Sequence, residues 1–147
     1  MAEQLSEHFT LEEFTASETA KAKGIDNSPT QEHLANLRKL AAAMEPVRSL
    51  LGHPILISSG YRNPTLNKAV GGVEDSDHAL GWAADFVCPL FGTPFDICVA
   101  IRDSGITFDQ LIHEKRRWVH LSFNPRMRNE TLTLQPDSTK YVPGILE

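Results

Sequence analysis

The chain has 147 residues, of which 41% are hydrophobic and 22% are charged, which is the composition of an ordinary globular domain able to bury one hydrophobic core. Its net charge of -5, without a stripe of lysines and arginines, argues against a nucleic-acid partner. No apolar run approaches the roughly 18 residues of a transmembrane helix, so we expect no membrane insertion.

The first residues and the cysteines bear on the cellular compartment. Residues 1–8 are polar and acidic and lack the basic and apolar regions of a signal peptide, so we expect synthesis in the cytoplasm. Cys88 and Cys98 do not have the Cys-x-x-Cys spacing. Without an export signal, we predict two buried free thiols rather than a disulfide.

The N-terminal segment, residues 1–29, is predicted to be a helical extension. Thr10 and Glu13 have the spacing of a capping box, in which each side chain bonds to the backbone of the other. Phe9 and Phe14 flank them at the spacing of a hydrophobic staple. Together these residues predict a helix start.

A longer helix and two strands follow. Residues 27–30 open the helix and Gly52 ends it. The predicted apolar stripe of this helix consists of Leu34, Leu37, Ala41, Met44, Val47 and Leu51. The apolar run 55–59 predicts a strand, residues 63–77 have the composition of a loop, and residues 83–87 predict the next strand.

The second half predicts another helix, a hairpin and a tail. Thr93 is an N-cap with Pro94 at the first helical position. Residues 108–114 and 118–123 predict the two strands of a hairpin, and residues 124–147 predict a polar tail that wraps the surface. These elements predict an α+β fold in which helices pack on a small antiparallel sheet.

The most informative stretch is Ser-Asp-His-Ala-Leu-Gly-Trp-Ala-Ala-Asp, from Ser76 to Asp85. It places His78 seven positions before Asp85, and a further candidate ligand, His120, follows in a strand-like run. Two imidazoles and one carboxylate around zinc leave a fourth position open for water, which distinguishes catalytic zinc from structural zinc. The pattern therefore favours a zinc hydrolase.

The spacing of one histidine and one aspartate is weak evidence alone, because a lone histidine is usually a surface or hydrogen-bonded residue. The neighbouring motifs strengthen it: Ser59-Gly60-Tyr61-Arg62, Gly71-Gly72, Gly81-Trp82-Ala83-Ala84-Asp85 and Trp118-Val119-His120. In this combination and order, over roughly residues 30 to 123, the chain resembles the M15 family of zinc D,D-peptidases. That family acts on peptidoglycan peptides.

The resemblance implies a ligand set and an architecture. His78, Asp85 and His120 would be the ligands of one Zn²⁺ ion on the face of the sheet, as in the D,D-peptidase and hedgehog type of fold. From its length the chain is predicted to form one domain over residues 1–147, which by this resemblance would be a zinc peptidase domain. No second domain is predicted, so a separate wall-binding module is not expected.

The hairpin predicts a general base. If the residues between the strands form the turn, Glu114 faces Trp118 and Ile112 faces His120, and Glu114 lies diagonal to His120 on the same face. A carboxylate there could accept a proton from water at the metal. The alternative is a charge at the hairpin end, paired with Lys115 or Arg116.

Three neighbouring residues bear on this assignment. Many M15 members have a carboxylate three residues before the last histidine ligand, and this chain has Arg117 at that position. Members with the Trp-Val-His ending resemble this chain, because their carboxylate lies six residues before the histidine, at the position of Glu114. His113 is predicted to point to the opposite face. Asp77 is interpreted as a loop anion rather than a fourth ligand.

Substrate-binding residues are predicted around the metal. The resemblance implies that Arg62 binds a substrate carboxylate or the developing oxyanion, roles suited to its fork of donors; the alternative is an exposed loop arginine. Ser76 would donate to the substrate or hold the loop that carries His78. Trp118, on the same face, is assigned to substrate binding.

The predicted function is a zinc metallopeptidase that hydrolyses peptidoglycan stem peptides. It would be an L-Ala-D-Glu-type endopeptidase or a D-Ala-D-Ala carboxypeptidase, and loops 63–77 and 86–94 would decide which. We expect a monomer, and a phage or prophage lysis enzyme that reaches the wall after release from the cytoplasm. The alternative is a non-catalytic, zinc-stabilised binding module of hedgehog-like fold.

Overall fold

The computed structural model describes residues 3–147, and expectations that concern Met1 and Ala2 lie outside the described residues. The helices are α1 (Leu11–Thr15), α2 (Glu18–Lys23), α3 (Gln31–Leu51), α4 (Pro64–Ala69) and α5 (Pro94–Asp103), with a 3₁₀ turn over Asp77–Leu80. The strands are β1 (Leu56–Ser59), β2 (Ala83–Val87), β3 (Gln110–Glu114), β4 (Trp118–Ser122), β5 (Glu130–Leu134) and β6 (Val142–Pro143).

Over residues 3–147 the strands form one six-stranded sheet in the order β1-β2-β4-β3-β5-β6. Neighbouring strands are antiparallel, except that β3 and β5 run parallel. The predicted α+β fold, with helices on a mostly antiparallel sheet, is confirmed. The hairpin register is also as predicted, since Glu114 pairs with Trp118 and Ile112 pairs with His120.

Alternation along the strands gives the sheet a core face and an open face. Phe86 and Leu121 project to the core face, where α3 and α5 cover them, and Met44 of α3 is buried in the same cluster. Burial of each such side chain contributes about 1.5–3 kcal/mol. The opposite face carries Asp85 and His120, so the core fixes the strands that hold these polar groups.

The start of α1 and both ends of α3 lie where the sequence predicts them. The capping box of Thr10 and Glu13 is present in both directions, and the rings of Phe9 and Phe14 lie 5.8 Å apart between centroids. The helix α3 begins after Thr30 and ends at Gly52 in the left-handed conformation. Its buried residues are Leu37, Leu40, Ala41, Met44, Val47 and Leu51, so Leu40 takes the place predicted for Leu34.

The helix α1 packs directly on the segment that follows β1. The backbone N–H of Tyr61 donates to the carbonyl of Phe14 at 2.6 Å. A Cβ atom on Gly60 would lie 2.5 Å from that same carbonyl oxygen, so only glycine permits the close approach. This contact fixes the backbone that leads into Arg62.

The prediction that residues 63–77 form a loop is wrong in part. Asn63 accepts a hydrogen bond from the backbone N–H of Leu66 and caps α4, with Pro64 in its first turn. Asparagine followed by proline is common both in turns and at helix starts. The loop-like composition of this segment therefore did not indicate its helix of six residues.

The prediction that residues 124–147 form a surface tail is also wrong in part, because this segment adds β5 and β6 to the sheet. The strand β5 pairs in parallel with β3, which places Glu114 opposite Leu134. Thr133 of β5 is fully buried, donates to the carbonyl of Gly144 at 2.7 Å and accepts from the N–H of Leu146. The threonines make β5 look polar in sequence, although the Thr133 hydroxyl has its hydrogen-bond partners inside the fold.

The prediction for the cysteines is confirmed. Cys88 and Cys98 are buried free thiols, and burial raises the pKa of Cys98 to about 12. Within residues 3–147, no helix has both the length and the apolar surface needed to cross a membrane.

Candidate metal centre and active-site cleft

Asp85 and His120 are directly opposite each other on neighbouring strands. The register of β2 against β4 pairs them, and Asp85 Oδ1 lies 3.0 Å from His120 Nδ1. Both side chains are largely buried on the open face of the sheet. Strand pairing alone therefore brings together two of the predicted ligands, which lie 35 positions apart in the chain.

His78 joins them from the 3₁₀ turn that precedes β2. The hydroxyl of Ser76 accepts the backbone N–H of His78 at 3.2 Å and caps this turn. His78 Nε2 then lies 3.2 Å from Asp85 Oδ1. One donor atom each from His78, Asp85 and His120 lies within 4.8 Å of the others.

The hydrogen bonding of His78 fixes which nitrogen is free. Its Nδ1 lies 2.7 Å from the carbonyl oxygen of Gly60, and a carbonyl can only accept, so Nδ1 carries the proton. In the neutral ring, Nε2 then presents a lone pair to the Asp85 carboxylate. Two lone pairs 3.2 Å apart require a cation between them, either a proton or a metal ion.

Burial and charge shift the pKa values at this centre. Burial alone would raise the pKa of Asp85, but His78 and His120 outweigh it and hold the pKa of the carboxyl well below its usual range. Burial alone would lower the pKa of His120, yet the hydrogen bond to Asp85 and the charges of Asp85 and Glu114 raise it. The centre thus favours positive charge beside an ionised carboxylate.

The three donors open onto a cleft of about 490 Å³. Other residues of its wall are Arg62, Ser76, Ile112, Glu114, Lys115, Trp118, Arg126, Arg128 and Tyr141. Two imidazole nitrogens and a carboxylate oxygen facing a cleft match the three protein ligands of catalytic zinc sites, which keep one position open. The residues present therefore fit a metal ion.

Asp77 lies beside His78 in sequence and lines the same cleft, but it is not one of the three residues whose donor atoms meet. Its carboxylate accepts hydrogen bonds from Ser122 Oγ at 2.7 Å, Asn124 Nδ2 at 3.0 Å and Arg126 Nη2 at 3.0 Å. Ser122 lies two residues after His120, so Asp77 ties the turn that carries one histidine to the strand that carries the other. Arg126 also reaches the fully buried Asp109.

Glu114 lies in the cleft wall and is 8% exposed. Its carboxylate accepts hydrogen bonds from the hydroxyl of Tyr141, and burial raises the pKa of this carboxyl above its ordinary value. Within residues 3–147, Glu114 forms no ion pair with Lys115 or Arg116. It is a buried carboxylate facing the cleft rather than a paired charge at the hairpin end.

Arg62 lines the same cleft, with its backbone held by the carbonyl of His78. Its Nη2 lies 3.4 Å from Ser76 Oγ, while its Nε is buried and has no hydrogen-bond partner among residues 3–147. Burial lowers the pKa of Arg62 and the charge of Asp85 counteracts this. The fork of donors on a guanidinium is well suited to bind a substrate anion in the cleft.

The other residues named in the sequence analysis lie either in the cleft or on the core face of the sheet. Ser76 caps the turn that carries His78, which supports its loop-holding alternative, and Trp118 lines the cleft. His113 points to the core face as predicted, where its ring lies 5.8 Å from Phe95 and its Nδ1 contacts the carbonyl of Leu146. Arg117 follows Glu114 in the hairpin turn.

The cleft residues that sequence reasoning missed include Arg126, Arg128 and Tyr141. All three lie in the segment predicted to be a surface tail. The alternation Leu132-Thr133-Leu134 could have indicated a strand there. Nothing local indicates that Tyr141 reaches Glu114, since the contact depends on the parallel pairing of β5 with β3.

A comparison with protein families matches residues 7–122 to the family described as Peptidase M15. The chain belongs to the M15 peptidase family. This confirms the resemblance, and membership supports a peptidase activity, that is, a hydrolase. A comparison with curated proteins finds no match. The family match ends at Ser122, so β5, β6 and Tyr141 lie beyond it.

The geometry predicts metal-linked stability. Adding zinc to metal-free protein should raise the melting temperature, because a ligand that binds only the folded state stabilises it. His78→Ala should abolish that rise, while His53→Ala, which alters an exposed histidine outside the cleft, should keep it. Calorimetry or thermal melts with and without zinc measure the effect.

The same titration tests the Asp77 contacts. Asp77→Asn should retain the fold but weaken zinc binding about tenfold, the lower end of the loss seen when groups that orient ligands are altered. Zinc affinity equal to that of the unmodified protein would show that these contacts do not position the ligands.

Proposed function

We propose that this protein is a zinc-dependent peptidase that hydrolyses peptide bonds in the stem peptides of peptidoglycan. The observation that carries the proposal is the shared cleft, in which the His78–Asp85–His120 centre lies with the buried carboxylate of Glu114 and the guanidinium of Arg62. Family membership supports the peptidase class. Zinc held by these ligands supplies a Lewis acid that polarises a carbonyl and acidifies water.

Glu114 acts as the general base in this proposal. Its carboxylate takes the proton from the attacking water and later returns it to the leaving amine. Its burial and its raised pKa suit a group that must accept a proton and return it. Among the described residues it forms no ion pair, and burial outweighs the charge of His120 and the hydrogen bond from Tyr141, which lower its pKa.

Arg62 stabilises the negative charge that develops on the scissile carbonyl oxygen. Its fixed, partly buried position beside the metal centre means that little reorganisation is needed as charge appears. Ser76 holds the turn that carries His78, and Trp118 supplies a flat apolar wall for the substrate. The substrate peptide thus lies between the turn before β2 and the hairpin of β3 and β4.

The cleft wall carries charges of both signs. The cations are Arg62, Lys115, Arg126 and Arg128, and the carboxylates are Asp75, Asp77, Asp85 and Glu114. Arg126 and Arg128 are paired with Asp77 and Asp109, so Arg62 and Lys115 are the cations that we expect to attract the free carboxylates of a stem peptide. We extend the proposal to endopeptidase action on intact wall by a phage or prophage lysis enzyme that reaches the wall from the cytoplasm. A non-catalytic binding module would not require a buried base in the cleft.

Digestion of purified sacculi, with mass spectrometry of the released fragments, tests the proposal. Zinc-loaded protein should release peptides with new amino termini, and Glu114→Gln should bind zinc normally but lose roughly 10²–10⁴ in kcat, because an amide cannot accept the proton. Sacculi left intact by zinc-loaded protein would contradict the substrate assignment. Near-normal turnover by the variant would remove Glu114 from the base role.

Arg62→Lys tests the role of the arginine. If Arg62 stabilises the oxyanion, the variant should lose a similar factor on cross-linked sacculi and on short D-Ala-terminated peptides, on the order of 10²–10³ and mainly in kcat. Lysine keeps the charge but loses the paired donors. Arg102→Lys, which alters an exposed arginine on α5, is the matched control.

The ratio of the two losses separates the possible roles. A loss confined to the short peptides would assign Arg62 to binding of a terminal carboxylate instead. Unchanged activity on both substrates would make it a loop residue without a catalytic role.

A further inference from the structure

Tyr141 reaches the proposed base from a part of the chain that the family match does not cover. Its hydroxyl lies 3.1 Å from Glu114 Oε1 and 3.4 Å from Glu114 Oε2. A carboxylate only accepts, so the tyrosine donates. We propose that Tyr141 is a positioning residue that holds the Glu114 carboxylate in its productive orientation, and this inference rests on the proposed function.

The sheet explains how Tyr141 arrives there. The strand β5 pairs in parallel with β3 and places Leu134 beside Glu114. The strand β6 then pairs back onto β5, with Val142 opposite Thr133. Tyr141 directly precedes β6, so this return places its side chain over the end of β3 and against the carboxylate.

The surroundings of Tyr141 argue against a purely structural role. The residue is 48% exposed, so its ring contributes only part of its surface to packing. It nevertheless lines the cleft and donates to the carboxylate at the end of β3 that faces the cleft. Removal of the hydroxyl should therefore leave the fold intact.

The chemistry suits a donor that stays protonated. Burial and the negative charge of Glu114 raise the pKa of Tyr141 to about 12, so its hydroxyl remains a donor at neutral pH. A glutamate side chain has several rotatable bonds, and a donor that contacts both oxygens restricts them. Such restriction matters because a displacement of about 1 Å in a catalytic group can cost about 10²-fold in rate.

Steady-state kinetics of Tyr141→Phe on a soluble stem peptide test the proposal. The variant should keep its melting temperature and zinc affinity, lose about tenfold in kcat, and show little change in KM. Lys140→Ala, which alters the exposed neighbour on the same segment, should behave like the unmodified protein. Unchanged kcat in Tyr141→Phe, or an equal loss in Lys140→Ala, would overturn the inference.

A double variant separates positioning from direct contact with substrate. Added to Glu114→Gln, Tyr141→Phe should have no further effect, because Tyr141 acts through the carboxylate. The same tenfold loss in that background would overturn the positioning role. If Glu114→Gln alone remains active, the proposed base itself fails; if it is inactive while Tyr141→Phe is fully active, only the inference about Tyr141 fails.

Discussion

The carboxylate of Asp85 is the group on which the rest of this site depends. One of its oxygens lies 3.2 Å from Nε2 of His78 and 3.0 Å from Nδ1 of His120. The carbonyl of Gly60 fixes the proton of His78 on the far side of the ring, so a lone pair faces the carboxylate. These groups therefore need positive charge between them, supplied by a proton or by a metal ion, and the arrangement fits a metal ion.

The sheet can hold these charged side chains close together because one of its faces packs in the core and the other faces the cleft. Side chains such as Phe86 and Leu121 anchor the strands in the core, and the alternate positions present polar groups to the cleft. Burying unpaired ions costs several kcal/mol each, and several of the buried charges occur in bonded sets. Asp77 and Arg126 form one such set, which also joins the two segments that carry the histidines.

Local spacing and strand alternation are enough to predict much of the site. The position of Glu114 diagonal to His120 follows from the length of the hairpin turn, because side chains on a strand alternate with a fixed period. The family motif identifies the residues that meet at the metal centre. The parallel pairing of β5 with β3 could not be predicted, since it joins distant segments through threonines that look polar in sequence. Tyr141 depends entirely on that pairing and was missed with it.

X-ray absorption at the zinc edge tests the central claim most directly, because it reports the ligands of the metal itself. Protein loaded with one equivalent of zinc should show imidazole scattering and nitrogen or oxygen neighbours only, and His120→Ala should lose part of the imidazole signal. Sulfur neighbours, which only thiols such as Cys88 and Cys98 or methionines could supply, would contradict the proposed ligand set, as would a shell without imidazole.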